Sequence, residues 1–227
     1  MRDYTGRFLA MAATLAIALS SCTAVQNNGT RHRTEADLVR ILDSAPPFDG
    51  APLQLMRSEQ IRKSLTALDG LKEEGVAQPS SCPDLTLANA LDLPEAEAVL
   101  VGYTGEDASG PLVVSLLSGL EADAVDSAQR AMAALVDRCP EVTVKTSTDK
   151  VHSTGHSVDA PVSTAGTLGV PVSHEIAGGD TIVTNFYTAV KNGVLITVQF
   201  TVPDIMRDGD VYHAADMLDS LAEAVRP

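Results

Sequence analysis

The second half of the chain alternates apolar and polar residues, a pattern that is typical of antiparallel strands. Residues 181–190 (TIVTNFYTAV) and 194–202 (VLITVQFTV) flank Asn192-Gly193, a dipeptide that favours a two-residue hairpin turn. The sequence therefore predicts a strand pair here, within a strand-rich region from 141 to 202. Further strands are predicted at residues 96–103, 111–117, 142–144 and 167–172, the first two forming a hairpin.

Helical periodicity appears on either side of this strand-rich region. Thr34 is a candidate cap for a helix that Pro46-Pro47 ends, and a short helix is predicted after Arg57. Residues 72–81 are predicted as a loop and 84–90 as a short helical turn. Two longer amphipathic helices are predicted at 122–138 and 211–225, the latter capped by Asp210. Helices flanking a run of strands indicate an α+β fold with an antiparallel sheet.

The N-terminal segment has the features of an export signal. Arg2 and Arg7 precede twelve apolar or small residues, 8–19, which are too few to span a bilayer and suit a signal peptide. Leu19-Ser20-Ser21-Cys22 resembles the lipobox of bacterial lipoproteins, in which the cysteine is acylated and becomes the mature N-terminus. The resemblance implies a signal peptide at 1–21 and lipidation, such as palmitate, on Cys22. The alternative is an ordinary secretory signal with an incidental cysteine.

Composition narrows the possible partners. Residues 22–33 are polar and predict a lipidated N-terminus with a flexible tether, followed by a domain from 34 to 227. The predicted mature chain has 14 basic and 29 acidic residues, a net charge of −15. This charge argues against nucleic acid or anionic lipid surfaces as direct partners. The expected partners are therefore the membrane, which the lipid on Cys22 would enter, and an unknown small ligand or envelope protein.

Two cysteines remain once Cys22 is assigned to the lipid. Cys82 and Cys139 are expected to form a disulfide, because an exported protein meets an oxidising environment. Two free thiols are an alternative. Zinc is disfavoured, because the two cysteines are far apart and neither lies in a CxxC pair.

The order of these features resembles the extracellular sensor domain shared by the mycobacterial receptor kinase PknH and related lipoproteins. The features are Cys82-Pro83, a strand hairpin, a helix ending in Arg138-Cys139-Pro140, a strand-rich run and a closing helix, over residues 35–227. The resemblance implies an antiparallel sheet with helices on one face and a possible ligand cleft. It also implies that Cys82 and Cys139 match the family's first disulfide, whereas its second has no counterpart here. The implied role is non-catalytic binding or sensing at the extracytoplasmic side of an actinobacterial cell envelope.

No pattern in the sequence predicts a catalytic or metal site, and no cofactor is expected. His152 and His156 are four residues apart, but in a strand that spacing separates them by ~13 Å. The glycine-bearing segments 166–169 and 178–180 are predicted as turns and not as phosphate loops. The acidic pairs Glu73-Glu74 and Asp208/Asp210 are predicted to be solvated. A spatially assembled hydrolase site and a structural surface protein are the alternative functions. If a cleft exists, it is expected on the outward side of the hairpin carrying the aromatic residues Phe186, Tyr187 and Phe200.

Overall fold

The computed structural model describes residues 32–48, 52–61, 63, 76–78, 82, 98–104, 112–119, 134, 137–145, 150–155, 158–159, 162–176, 181–203 and 208–226. Within these residues one antiparallel sheet dominates, with two helices packed against it. The helices are α1 (Glu35–Leu42) and α2 (Asp208–Ala224). The strands are β1 (Gln54–Arg57), β2 (Val76–Gln78), β3 (Ala98–Tyr103), β4 (Leu112–Ser118), β5 (Glu141–Lys145), β6 (Lys150–Gly155), β7 (Val158–Asp159), β8 (Leu168–Ile176), β9 (Thr181–Lys191) and β10 (Val194–Pro203).

The strand order is β1-β3-β4-β10-β9-β8-β6-β5-β2, with β7 paired to β8. Every pair is antiparallel and in continuous register. The predicted hairpins at 96–117 and 181–202 are confirmed as β3–β4 and β9–β10. Their central position follows from pairing between β4 and β10, which joins the two hairpins edge to edge.

The β9–β10 turn has the backbone conformation that its sequence demands. Asn192 and Gly193 both have positive φ angles, 46° and 78°. Asparagine and glycine tolerate this left-handed region, whose twist matches that of the flanking strands. The turn thus fixes the register of the two longest strands.

Helix α1 begins where the sequence predicts. The Thr34 side chain accepts a hydrogen bond from the Asp37 N–H, and the Asp37 side chain accepts one from the Thr34 N–H. This capping box satisfies two of the N–H groups that a helix start leaves without intrahelical partners. The buried side of α1 consists of Leu38, Ile41 and Leu42.

One hydrophobic core joins both helices to the centre of the sheet. Its strand residues alternate along β10, beginning with Val194 and ending with Phe200, and apolar residues on the same face of β3, β4 and β9 join them. Phe48 packs against Phe200 with ring centroids 5.2 Å apart. The helices contribute Leu38, Ile41, Leu42, Ala214, Met217, Leu218, Leu221, Ala222 and, just after α2, Val225.

Several sequence predictions need correction. β1 was not predicted, and β2 lies in a segment predicted as a loop; both are short strands that exist through pairing with β3 and β5. Helix α2 begins at Asp208, so Asp210 lies inside the helix and does not cap it. Of the other predicted elements, 84–90 and 178–180 lie outside the described residues, as does most of 122–138. The short helix predicted after Arg57 is described only at residues 58–61 and 63, all helical.

Candidate functional site

The two faces of the sheet differ in chemistry. Residues directly opposite each other in antiparallel strands share a face, so the register assigns each strand residue to one side. The core face carries Ile196, Val198 and Phe200, which belong to the hydrophobic core. The reverse face carries the intervening residues of β10, including Thr197 and Gln199.

Along the nine-strand path, the charged side chains that the structure describes lie on the core face. Among strand residues of this path whose side chains the structure describes, five are charged, and the register places all of them on the core face. They are Arg57, Glu141, Lys145, Glu175 and Lys191. On the reverse face the described charged residue is Asp159 of the short strand β7. It is exposed and pairs with Leu168, at the start of β8. The centre of the reverse face is thus uncharged over the described residues.

A buried polar group occupies the middle of the reverse face. Ser115, Thr197 and Gln199 lie on β4 and β10 and are 2%, 6% and 2% exposed. Beside them Thr184 and Thr201 are register partners, with their hydroxyl oxygens 3.2 Å apart in a buried hydrogen bond. We call these five residues the polar centre. They combine four hydroxyls with one amide.

Ser115 carries one of the buried hydroxyls of the polar centre. Its Oγ atom is buried and makes no hydrogen bond within the described part of the chain. A buried hydroxyl without a partner costs roughly 1–3 kcal/mol relative to a satisfied one. Buried polar groups in folded proteins are normally satisfied, so this hydroxyl is a candidate contact for a bound molecule.

Apolar residues surround the polar centre; Leu117, Leu195 and Val170 are buried, and five others are half-buried. Tyr103 and Val113 are register partners on β3 and β4, and Phe186 lies opposite Gln199 on β9. Val101 and Leu168 extend the same surface on β3 and β8. All five remain partly accessible, whereas the polar centre is buried. A few polar groups set among apolar ones is the usual composition of a small-molecule site.

The sequence builds this surface by alternation. In β10 the residues Leu195, Thr197, Gln199 and Thr201 occupy every second position and point away from the core. Threonine is β-branched and suits a strand while presenting a hydroxyl. Because the side-chain period is two, a slip of one residue would exchange the two faces. The Asn192-Gly193 turn prevents that slip.

The predicted aromatic residues divide between the faces. Phe186 lies on the reverse face and is half-buried. This is the side of the hairpin on which a cleft is expected from the sequence. Tyr187 and Phe200 are buried in the core on the opposite face. Burial raises the pKa of the Tyr187 hydroxyl above its usual value. The polar centre itself was missed by sequence reasoning, although the Thr-x-Gln-x-Thr alternation in β10 was a visible signal for it.

The predicted site residues are otherwise dispersed. His152 lies on β6 as a half-buried residue, with its Nδ1 3.0 Å from Thr143 Oγ1, whereas His156 lies outside the described residues. No group of three His, Cys, Asp or Glu side chains suited to a metal occurs among the described residues. Glu73-Glu74 and Cys22 also lie outside them. Cys82 and Cys139, both buried, are joined by a disulfide with Cα atoms 5.9 Å apart, as the sequence predicts.

The start and finish of the folded domain meet at one end of the sheet. The Arg33 N–H donates to Ser118 Oγ at 2.8 Å, and the Arg33 guanidinium donates to the Arg226 carbonyl. Asn192 Nδ2, in the β9–β10 turn, donates to the Val225 carbonyl at 2.8 Å. The predicted tether, which ends at residue 33, therefore joins the domain beside this turn. No helix in the described part of the chain is long and apolar enough to cross a membrane.

Comparison with known proteins shows a relationship of fold. No protein-family model matches the sequence, and no curated protein matches it. The structure is similar to the extracellular domain of PknH from Mycobacterium tuberculosis, with a TM-score of 0.52 and 14% identity, over 86% of this chain and all of that domain. A weaker similarity links it to an uncharacterized protein (Rv0999 ortholog) from Mycobacterium smegmatis, with a TM-score of 0.36 and 17% identity over 57% and 65% of the two chains. The predicted resemblance is thus confirmed for the fold: the chain has the fold of the PknH extracellular domain.

Proposed function

We propose that this chain is a lipid-anchored protein of the extracytoplasmic cell envelope whose domain binds a small ligand on the reverse face of its sheet, without catalysing a reaction. One observation supports this most directly. The reverse face combines a buried, uncharged polar centre with half-buried apolar residues, and the buried Ser115 hydroxyl has no hydrogen-bond partner in the described chain. That combination suits ligand binding better than a solvated outer surface.

The packing of the helices supports the choice of face. Buried residues of α1 and α2 share the core with the core-face residues of β3, β4, β9 and β10. We therefore place both described helices on the core face, and propose the reverse face, on which no described helix packs, for a ligand cleft.

A binding role fits the chemistry of the reverse face. Its described centre offers hydroxyls, an amide and apolar groups, none of which exchanges a proton near neutral pH. Acyl transfer by a serine needs a base within hydrogen-bond reach, normally a histidine that an acid orients. The described part of the sheet carries two histidines. His152 is on the core face, opposite Thr143 and Glu175 in the register. His174 is on the reverse face, but it lies on β8, three strand spacings or ~14 Å from Ser115 on β4, so neither can serve Ser115.

The location rests on the N-terminal sequence and on the position of Arg33. Leu19-Ser20-Ser21-Cys22 supplies the acylation signal, and ~10 residues separate Cys22 from Arg33. An extended chain of that length spans at most about 35 Å. The end of the domain that carries the β9–β10 turn would then lie near the membrane. Similarity in fold to an extracellular domain agrees with this placement.

Metabolic labelling tests the anchor. Cells expressing the full chain are fed an alkyne-tagged palmitate, and the label on the protein is compared with that on Cys22→Ser and on Cys82→Ala/Cys139→Ala. We expect label on the parent and on the double variant, and none on Cys22→Ser. Equal labelling of Cys22→Ser, or recovery of the parent among cytosolic proteins, would contradict the anchor.

Native mass spectrometry of the envelope-extracted protein tests the binding role. We expect a retained small molecule whose occupancy falls in Thr197→Val and does not change in Thr154→Val, a half-buried threonine of the core face. A surface protein with only a structural role would retain no ligand. Turnover of envelope esters that is lost in Ser115→Ala would instead indicate a hydrolase.

A further inference from the structure

We propose that strand β5 is the docking edge for a second copy of this chain, and that the Cys82–Cys139 disulfide controls access to it. In the oxidised protein the disulfide holds β2 against β5, and the protein is monomeric. After reduction β2 leaves, and two copies pair through their β5 strands. This surface is at one end of the sheet order and is separate from the proposed ligand site on the reverse face.

The disulfide continues the ladder between β2 and β5. Gln78 pairs with Thr143 in that ladder. Cys82 lies four residues after Gln78, and Cys139 lies four residues before Thr143, so the same antiparallel register brings the two cysteines opposite each other. Their Cα atoms are 5.9 Å apart, close to the ~5.5 Å between facing residues of an antiparallel pair. The disulfide therefore fixes the register of β2 on β5.

Strand β2 depends on this covalent link to stay in place. It has three residues, and in the described sheet it pairs with β5 alone. So short a ladder contributes few hydrogen bonds, each of modest net value. Without the disulfide, that ladder alone must hold together two segments whose cysteines are 57 residues apart, and closing such a loop is opposed by chain entropy.

Reduction would remove the link. A dithiol reductant supplies two electrons and two protons, the bond between the Cys82 and Cys139 sulfurs breaks, two thiols form, and the reductant becomes a disulfide. Release of β2 then uncovers the backbone N–H and C=O groups on one side of β5. A strand edge with such uncovered groups is a template for pairing with another strand.

The sequence of β5, Glu-Val-Thr-Val-Lys, is complementary to itself in antiparallel orientation. When the Thr143 residues of two copies face each other, Glu141 of each copy faces Lys145 of the other, and valines face valines. A two-fold axis generates the charged pair twice. Opposite charges in facing positions stabilise an antiparallel strand pair, whereas like charges destabilise it. Moving the axis by one residue along the strand would lose both charged pairs.

The faces of the sheet also match across this interface. Glu141, Thr143 and Lys145 lie on the core face and alternate with Val142 and Val144. Each residue therefore meets one from the same face of the second copy, and the sheet continues without exchanging its sides. Glu141 and Lys145 are exposed, and neither makes an ion pair within the described part of the chain. Both charges are thus available to a second copy.

Native mass spectrometry at different redox states tests the control by the disulfide. The full chain carrying Cys22→Ser is used, because it lacks a lipid that could itself cause association. We expect a monomer from the oxidised protein and a dimer after addition of dithiothreitol, with affinity for the second copy raised at least tenfold. Cys82→Ala/Cys139→Ala in the same background should dimerise without reductant.

Charge reversal locates the interface. In the reduced protein Glu141→Lys should weaken the dimer roughly tenfold, because two attractive pairs become repulsive, and Lys145→Glu should do the same. The double variant Glu141→Lys/Lys145→Glu should restore the dimer, since the pairs are only exchanged. Glu175→Lys is the matched control, because Glu175 is an exposed glutamate of the core face on β8. It should leave the dimer unchanged.

A single introduced cysteine tests the register. In Cys22→Ser/Cys82→Ala/Cys139→Ala the added change Thr143→Cys should yield a covalent dimer on mild oxidation, because the two-fold axis places these residues opposite each other. Thr154→Cys in the same background is the control. Thr154 is likewise half-buried on the core face, but it lies on β6, which β5 and β8 flank.

Several results would overturn the inference. These are a reduced protein that stays monomeric, an oxidised protein that dimerises equally well, and a double charge reversal that fails to restore the dimer. Loss of cooperative urea unfolding on reduction would do so too, because the disulfide would then hold the whole domain and not β2 alone. The proposed ligand site is unaffected by any of these results, since its test is the occupancy of the envelope-extracted protein.

Discussion

Asn192 Nδ2 donates a hydrogen bond to the Val225 carbonyl oxygen at 2.8 Å, across 33 residues of sequence. Asn192 is in the β9–β10 turn, and Val225 follows the last residue of α2. The last carbonyls of a helix have no intrahelical partner, so the asparagine side chain caps the helix from a distance. One residue therefore sets the hairpin turn and fixes the end of the terminal helix.

Two substitutions at Asn192 should separate these roles. Asn192→Gly keeps the positive φ of 46° accessible but removes the capping hydrogen bond, and should cost about 1 kcal/mol of unfolding free energy. Asn192→Ala also strains the backbone and should cost about 1–2 kcal/mol more. Urea unfolding of the three proteins measures both differences. Equal stability of the parent and the glycine variant would show that the hydrogen bond contributes nothing.

Asp219 should make the domain sensitive to acid. Its carboxylate accepts hydrogen bonds from the N–H and hydroxyl groups of Ser163 and Thr164, at 2.5–2.8 Å, and so joins the β7–β8 loop to α2. Partial burial on its own would raise the pKa of Asp219. The hydrogen bonds from Thr164 and Ser163 outweigh it, and the pKa lies below its usual value.

A carboxyl whose pKa is lower in the folded state stabilises the fold above its unfolded pKa. That contribution is lost as pH falls from about 4 through the lower folded pKa. Asp219→Ala should therefore cost about 2 kcal/mol at pH 7 and less at pH 3. Thermal unfolding between pH 3 and pH 7 tests this, with Asp216→Ala, an exposed residue of the same helix, as the control. A constant loss across that range would contradict the assignment.

The disulfide should contribute most of its stability through the unfolded chain. Cys82 and Cys139 are 57 residues apart, and closing such a loop is worth ~4 kcal/mol in the chain-entropy model. Cys82→Ala/Cys139→Ala should lower the free energy of unfolding by that order. Each single variant, measured under reducing conditions, should resemble the double variant. A loss below about 1 kcal/mol in urea would indicate that residual structure already restrains the loop.

Gly102 should tolerate no side chain, because α1 packs directly against it. A Cβ atom there would lie 2.7 Å from Leu42 Cδ2 and 3.2 Å from Leu53 Cδ1. Leu42 is buried in the core and has little room to move, so Gly102→Ala should cost about 1–3 kcal/mol.

The double variant Gly102→Ala/Leu42→Val isolates that contact. Removing the clashing methyl should restore part of the stability, giving a favourable coupling energy in a double-mutant cycle of unfolding free energies. Gly166→Ala is a contrasting case: no atom lies near its new Cβ, but its φ of +76° is strained for alanine. Strict additivity of the two changes at Gly102 and Leu42 would refute a direct clash.

Local sequence determined the parts of the fold whose cause is local. Asn192-Gly193 with alternating flanks specifies the β9–β10 hairpin, and Thr34 marks the start of α1. The helical spacing of Ala215, Leu218 and Ala222 predicts the buried side of α2. These features were predictable because turn conformation, capping and amphipathic spacing act within a few residues.

Tertiary structure alone decided the rest. β1 and β2 have four and three residues, and they are strands because β3 and β5 supply their hydrogen bonds. The polar centre likewise forms only when β4 pairs with β10 and brings Ser115 beside Thr197, some 80 residues away. Alternation in one strand separates two sets of residues, but which set meets the helices depends on packing between distant segments. The uncharged centre that the described residues form on the reverse face is therefore a property of the assembled sheet, although each of its residues is visible in the sequence.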